Sequence, residues 1–458
     1  MTTLVWFRQD LRLHDNPALH AAAKRGRAVI PIYIWSPEDD GDWPPGSASQ
    51  WWLHHSLLAL DSSLRHRDSR LILARGSARK VLDTLVSNTK ATAVFWNRRY
   101  EPAARACEAD VEQSLQKRSI ETQSFNSSLL AEPDELLNKS GKPYRVYTPY
   151  ARQMLHVLRP PEPLAPPRKL RVPASWPRSV PLKSLGLLPK IKWYATMEAT
   201  WQPGEDGARK RLTWFQKNAI KDYTRARDRP AERGTSGLSP HLHFGEIGPR
   251  QIWHALGPKG RSSVFLREVL WREFAYHLLY HFPETTTQPL RPEFKRFPWK
   301  KTARLLHAWQ RGRTGVPLVD AGMRELWATG VMHNRVRMVV GSLLVKNMLQ
   351  PWQDGARWFW DTLVDADLAA NTLNWQWVAG SGADASPYFR IFNPQTQGER
   401  FDPDGVYVRK WVPEIADRPA RTVHAPLDAV VDLSETREAA LDAYSEMRKS
   451  KSPQSPGG

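Results

Sequence analysis

Five short apolar runs, Leu4–Phe7, Ala28–Trp35, Leu71–Ala74, Ala93–Trp96 and Ile120–Phe125, alternate with stretches of helical character near Pro17–Arg25, Ser49–Leu64, Ala78–Ser87 and Pro102–Gln116. A strand that hands over to a helix before the next strand cannot close a tight hairpin. The runs are therefore predicted to pair in parallel, with helices on both faces of the sheet. This makes the N-terminal third an α/β domain with a Rossmann-like sheet, and ligands of such sheets lie at the carboxyl ends of the strands. No G-x-G-x-x-G follows the first run, which argues against an ordinary dinucleotide site there.

Near residue 131 the pattern changes. Nine prolines fall between Pro160 and Pro189, interleaved with Arg and Lys, and exclude regular helix or central strand. The stretch reads as a long extended connection. From about Gly207 the period is helical: Val264, Phe265, Val269, Leu270, Phe274, Leu278 and Leu279 form one stripe, and Val336, Val339, Val340, Leu343 and Leu344 another. The expected organisation is an α/β domain over 1–130, a Pro-rich linker over 131–206, an all-α domain over 207–447 and a disordered tail over 448–458. At roughly 100–200 residues per domain, 458 residues suit this division.

Lys and Arg number 66 against 47 Asp and Glu, a net charge of +19, which points to a polyanionic partner, nucleic acid first. No apolar run reaches the ~18 residues of a membrane span, and the N-terminus shows no secretory leader. A single cysteine, Cys107, excludes internal disulfides and cysteine-based metal clusters. A cytoplasmic protein, without a membrane partner, is expected. Tryptophan is abundant, with 21 residues, nine of them from Trp299 onward. Packing and redox or base-stacking roles both fit that count.

Four segments carry candidate chemistry. Gly234-Thr235-Ser236-Gly237-Leu238-Ser239-Pro240 offers hydroxyls and backbone N–H groups that suit a phosphate, or equally a simple turn. On a predicted helix Glu268 and Trp271 share a face, a carboxyl beside a stacking ring; the plain alternative is a surface ion pair of Glu268 with Arg272. His333-Asn334-Arg335-Val336-Arg337-Met338 sets two arginines close together, as phosphate contacts require. Asp365-Ala366-Asp367, followed by Asn371, Trp375 and Trp377, holds acids that suit a metal, arginines or the hydroxyls of a cofactor. No G-x-S-x-G, P-loop, H-E-x-x-H or Cys/His cluster is present, so hydrolase and zinc chemistry find no support.

Together these segments resemble the photolyase/cryptochrome family of flavoproteins, from Trp6-Phe7-Arg8-Gln9-Asp10-Leu11-Arg12 to Phe389-Arg390-Ile391-Phe392-Asn393-Pro394. The resemblance implies an α/β domain that carries an antenna chromophore and a helical domain that holds FAD. Tyr223, Thr235, Ser236, Gly237, Leu238 and Ser239 would then bind the FAD phosphates. Arg337, Asp365 and Asp367 would contact flavin and ribose, so no metal is expected, and Asn371 would face flavin N5. Glu268 and Trp271 match the lesion-contacting pair of enzymes specific for cyclobutane pyrimidine dimers. Asn334 and Met338 stand where the branch that repairs (6-4) lesions carries two histidines. Trp375, Trp352 and Trp299 match an electron-hopping triad running from the flavin to the surface, and Arg227, Arg272, Arg335, Arg390 and Gln397 are candidates for DNA contact.

Two departures stand out. Folate-binding members carry Asn-Glu where this chain has Ala103-Ala104, and Val331 replaces a frequent tryptophan. Pro45-Gly46-Ser47-Ala48-Ser49-Gln50-Trp51-Trp52 is similar to plant cryptochromes and their bacterial neighbours. The antenna expected is 5,10-methenyltetrahydrofolate ahead of 8-hydroxy-5-deazaflavin. The function implied is light-dependent repair of cyclobutane pyrimidine dimers by electron transfer from excited, reduced FAD to a flipped-out dimer. The protein would be a monomer without an obligate protein partner, with damaged DNA as substrate, nucleoid-associated through that DNA. A blue-light signalling cryptochrome is the alternative, disfavoured by the roughly sixty residues after Pro394, where signalling members add a long extension.

Overall fold

A computed structural model of the chain describes residues 2–260, 263–385 and 389–449. The expected strands form: β1 (Thr2–Phe7), β2 (Ala28–Trp35), β3 (Ile72–Arg75), β4 (Ala91–Asn97) and β5 (Glu121–Phe125). They make one parallel sheet of order β3-β2-β1-β4-β5, with Leu4 beside Ile30 on one side and Val94 on the other. Alternation sorts the side chains. Leu4, Trp6, Ile30, Ile32, Val94 and Trp96 bury on one face, and Val5, Phe7, Val29, Tyr33 and Phe95 on the other.

The crossovers are α1 (Pro17–Lys24), α2 (Ser47–Arg65), α3 (Ala78–Thr89) and α4 (Pro102–Gln116). Helix α1 starts where the sequence dictates: Asn16 accepts from Leu19 N at 3.0 Å, and Pro17 supplies a preset φ at the first helical position.

The Pro-rich segment lies pinned along the α/β half. Asp15 N donates to Leu164 O, Val29 N to Arg171 O and Val180 N to Leu73 O, at 2.7–2.9 Å. Its strand-like pairing with Val29 covers a part of the β2 edge, because β3 pairs β2 only from Ile32 onward. Two helices interrupt the stretch read as linker, α5 (Tyr147–Val157) and α6 (Ala195–Thr200). Tyr147, Tyr150, Ala151 and Met154 of α5 bury in the core of the helical half, so this part of 131–206 packs as part of that half.

The remaining helices are α7 (Glu205–Asn218), α8 (Tyr223–Ala226), α9 (Ser239–His243), α10 (Pro249–Gly260), α11 (Val264–His281) and α12 (Ala303–Gln310). They continue with α13 (Pro317–Thr329), α14 (Asn334–Ser342), α15 (Trp352–Thr362), α16 (Leu368–Ala379), α17 (Pro394–Phe401), α18 (Val406–Trp411) and α19 (Leu433–Lys449). Of the expected disordered tail, Arg448 and Lys449 end α19, and 450–458 lie outside the described residues. No helix among the described residues is long and apolar enough to cross a membrane.

The two halves are joined by buried charge. Glu246, 1% exposed, accepts from Trp52 Nε1 at 3.0 Å, Gly204 N at 2.7 Å, Ser56 Oγ and His241 Nδ1. Arg12, also 1% exposed, donates to Gly245 O, Asp15 O and Ser127 O at 2.7–2.9 Å.

A third buried charge, Glu273 on α11, accepts from Leu130 N at 2.8 Å, while its Oε1 has no hydrogen-bond partner. Burial pushes this carboxyl up to about 7, against the opposing pull of Arg272. Folding therefore takes up a proton between about pH 4.5 and pH 7, and stability falls as pH rises through that window. Urea unfolding at pH 5 and pH 8 should show the wild type losing about 2 kcal/mol. Glu273→Gln should flatten that slope; equal slopes in the two proteins would remove Glu273 as its source.

Candidate functional site

The hydroxyl–glycine loop and the Asp-Ala-Asp segment meet. Ser239 Oγ donates to Asp365 Oδ2 at 2.6 Å, and Arg337 Nη2 reaches both oxygens of Asp365 at 3.0 and 3.1 Å. Arg337 is itself held by Met332 O, 2.7 Å from its Nε. The loop turns through Gly237 in the left-handed region, at φ 63°. At Gly234 a Cβ would come within 2.6 Å of Ala226, so only glycine lets the loop lie against α8. Tyr223 is buried at the start of α8, Leu238 is buried in the loop, Thr235 is exposed and the Ser236 hydroxyl accepts from Leu238 N.

Asp367 is the N-cap of α16, accepting from Ala370 N at 2.8 Å and from the Tyr276 hydroxyl at 2.5 Å. Burial would raise this carboxyl, but His243, the Arg272 charge and the Tyr276 hydroxyl outweigh it and hold it down to about 2. One turn into α16 Asn371 donates its amide to Ala356 O at 3.0 Å, which leaves the carbonyl oxygen as the group to meet a donor. This cluster fits the FAD expected from the sequence. It offers a glycine-permitted backbone loop for phosphate and carboxylates for hydroxyls. It also holds a buried His243 Nδ1 that makes no hydrogen bond and stands 3.8 Å from Asp367.

Beside the cluster lies the pair on α11. Glu268 is one-third exposed and pairs with Arg227 Nη1 at 2.5 Å, and Arg227 also stacks over Tyr223. The Glu268–Arg272 surface pair is thus not formed. Trp271, half-buried, stacks on Tyr147. Asn334 opens α14 exposed, with Met338 one turn along the same face. His333 caps that helix by accepting from Arg335 N; burial lowers its ring to about 4, so it serves as a neutral acceptor.

Of the residues expected to meet DNA, Arg272 does not reach out. It donates to Ser128 O at 2.7 Å, stacks over Tyr276 and is 13% exposed, because α11 turns it toward the α/β half. Arg335 pairs with Asp228 at 2.7 Å. Arg390 lies over Trp377, and both line a cavity of about 270 Å³ with Asp384 and Phe392. Gln397, on α17, keeps a buried Oε1 without a partner.

The tryptophans expected to relay electrons belong to one apolar cluster, with Trp375 and Trp352 both buried, at 3% and 1% exposed, and Trp299 only partly buried. The nearest described rings to Trp375 are Phe359 at 5.0 Å and Trp309 at 6.2 Å. Gly355 makes room for it, since a Cβ there would sit 2.1 Å from the indole.

A second site occupies the carboxyl ends of β1, β2 and β4. A cavity of about 810 Å³ is lined by Trp6, Arg8, Tyr33, Trp35, Trp43, Arg99, Ala104 and Trp360. The Trp6 and Trp43 indole N–H groups and Arg8 Nε are buried and unpartnered. Trp43 meets Trp360 edge-on at 5.4 Å. The place of Trp360 in this wall is not legible from its own helix. Tyr276, His243 and Tyr147 were also missed. The motif Pro240-His-Leu-His-Phe-Gly-Glu246 was the available signal for His243.

Asp367→Asn keeps a cap but removes the charge. It should cost about 2 kcal/mol at pH 7, and the gap to wild type should close as pH falls from about 4 to 2, where the native carboxylate is itself protonated. A gap constant across that range in acid unfolding would show that the charge is not what counts.

Comparison with known proteins agrees with this geometry. The model of the FAD binding domain of DNA photolyase matches residues 265–447, and that of the DNA photolyase domain matches residues 3–168. A deoxyribodipyrimidine photo-lyase of Agrobacterium fabrum is 47% identical over 97% of this chain and 98% of its own. Cryptochrome-2 of Arabidopsis thaliana is 38% identical over 98% of this chain and 79% of its own. The crystal structure of a bacterial class III photolyase from Agrobacterium tumefaciens superposes with a TM-score of 0.93 at 47% identity, covering 98% of each chain. The chain belongs to the photolyase/cryptochrome family, with an α/β N-terminal half and a helical FAD-binding half.

Proposed function

We propose that this protein is a deoxyribodipyrimidine photo-lyase that repairs cyclobutane pyrimidine dimers in DNA. The observation that carries the reading is the Glu268–Trp271 pair on the partly exposed face of α11, with Glu268 ion-paired to Arg227 at the end of α8, the helix against which the loop that suits FAD lies. Bound and reduced FAD, excited by light, supplies the electron that opens the cyclobutane ring and recovers it afterwards. The chain's own residues bind and orient. Ser236, Gly237 and Ser239 cradle phosphate, Arg337 and Asp365 lock the loop to α14, and Asn371 presents an oxygen to an N–H donor. Glu268 and Arg227 offer acceptor and donors to the edges of an extruded base, and Trp271 offers a ring face. Extrusion costs a few kcal/mol, least for a lesion that already stacks poorly. Arg335, Arg390 and Gln397 are proposed for the DNA side, where neutralised phosphates steepen the salt dependence.

For the second cavity we propose the antenna. Its aromatic walls, two arginines and orphan N–H groups suit a flat, anionic chromophore with ring acceptors. Folate is preferred to a deazaflavin, and Ala104 in the wall means that the Asn-Glu pair of other members is not what holds it. The protein is taken as a monomer, with functional limits at 1–130 for the antenna half and 207–447 for the FAD half.

The test is loss of thymine dimers from an oligonucleotide under blue light with fully reduced holoprotein; persistence of the dimers would favour a light-sensing cryptochrome. Glu268→Ala should slow repair roughly tenfold at unchanged FAD content, and an unchanged rate would take Glu268 out of the site. Trp352→Phe should block photoreduction of oxidised FAD but leave repair intact once the flavin is reduced chemically. Normal photoreduction would mean that another set of rings carries the electron. Dimers of the (6-4) type should persist, since neither Asn334 nor Met338 can donate the proton a histidine would.

A further inference from the structure

Tyr147 lies flat against Trp271, with ring centroids 3.7 Å apart and planes within 7°. Two hydrogen bonds fix it there. Its hydroxyl donates to Arg267 O at 2.8 Å, the carbonyl that the helix also pairs with Trp271 N, so tyrosine and tryptophan are registered on the same turn of α11. Its backbone N–H donates to Asp384 Oδ2 at 2.8 Å, and Asp384 lines the cavity that holds Trp377 and Arg390. Burial, with the nearby Glu268 charge, keeps the phenol protonated and so keeps the hydroxyl a donor. Phe274 meets Trp271 edge-on at 5.8 Å, and among the described residues no other ring stacks on the indole. One face of Trp271 is therefore covered by Tyr147, and no described ring stacks on the other.

We infer that Tyr147 is a positioning residue for lesion recognition: it backs Trp271, so that the indole presents a fixed plane on which an extruded pyrimidine stacks. An indole already held in its bound orientation loses less rotamer freedom when the base arrives, and binding is tighter by that amount. The three-layer stack also ties the Trp271 side of the groove, through Asp384, to the side carrying Trp377 and Arg390. Sequence patterning hides this contact, because Tyr147 stands in the stretch read as linker and Trp271 lies 124 positions further on.

The inference rests on the dimer-binding reading, and the experiment separates the two. FAD-loaded protein is kept in the dark, so that nothing turns over, and titrated with a duplex oligonucleotide carrying one thymine dimer and with its undamaged twin. Wild type should prefer the dimer, and Trp271→Ala should lose that preference. Tyr147→Ala and Tyr147→Leu, the second of which keeps bulk without a plane, should weaken dimer binding about three- to tenfold and leave undamaged DNA and FAD content unchanged. Tyr147→Phe, which keeps the ring but loses the bond to Arg267 O, should bind the dimer more tightly than the Ala and Leu variants. Dimer binding by the Ala and Leu variants equal to wild type, equal losses on both DNAs, or a Phe variant as weak as Ala would each overturn the positioning role. Equal affinity of wild type for the two DNAs would bring down the dimer-binding reading itself, and the role of Tyr147 with it.

Discussion

The molecule is organised around one buried carboxylate. Glu246 takes four hydrogen bonds, from two side chains of α2, from His241 in α9 and from the backbone at Gly204 where α7 begins. A carboxyl group this deep is tolerated only when its polar atoms are partnered, and removing any donor leaves the remainder under-satisfied. The same carboxylate thus fixes the helix that walls the cavity at the strand ends and the loop that suits FAD phosphates. Arg12 repeats the arrangement with opposite sign, its guanidinium held by three carbonyls contributed by both halves. Such contacts are specific rather than strong: they select one relative placement of the halves, while apolar burial supplies the drive.

Helix α11 turns that placement into a site. Glu268 and Trp271 fall on its groove side, Arg272 and Glu273 face the α/β half, and Tyr276 reaches Asp367 at the head of α16. A helix advances about 100° per residue, so nine consecutive positions serve three environments without a break in the backbone. Effects of substitutions along this helix should therefore combine non-additively, since a shift that suits one face displaces the others.

The sequence patterns carried the sheet well because β1 to β4 are short, separate apolar runs and the crossovers α1 and α4 begin at prolines. Of the local motifs, Ser239, Arg337 and Asp365 meet through hydrogen bonds. What stayed hidden is the choice of partners at long range. Glu268 could have paired with Arg272 one turn away, yet it pairs with Arg227, 41 positions back, because the Arg272 guanidinium is drawn to Ser128 O and lies over Tyr276. Helix α5 was masked by the prolines around it, and its apolar stripe of Tyr147, Tyr150 and Met154 is too short to outweigh them in a one-dimensional reading. Trp377 and Trp360 have the same composition signal as a packed indole; only the third dimension sets each against a cavity.

The abundance of tryptophan follows from the same physics. An indole fills space and carries one donor that must be met when it is buried. Five are pinned through that donor: Trp52 to Glu246, Trp96 to Glu108, Trp309 to Val340 O, Trp201 to Thr329 O and Trp360 to Pro44 O. Rings anchored at both surface and edge keep their distances, which is what stacking on a base or passing an electron between indoles demands. Trp6, Trp43 and Trp51 break the pattern, with buried N–H groups that no protein atom accepts, and the first two face the cavity at the strand ends. A buried donor costs free energy until something accepts from it, so the pair that faces the cavity suits a ligand that brings acceptors.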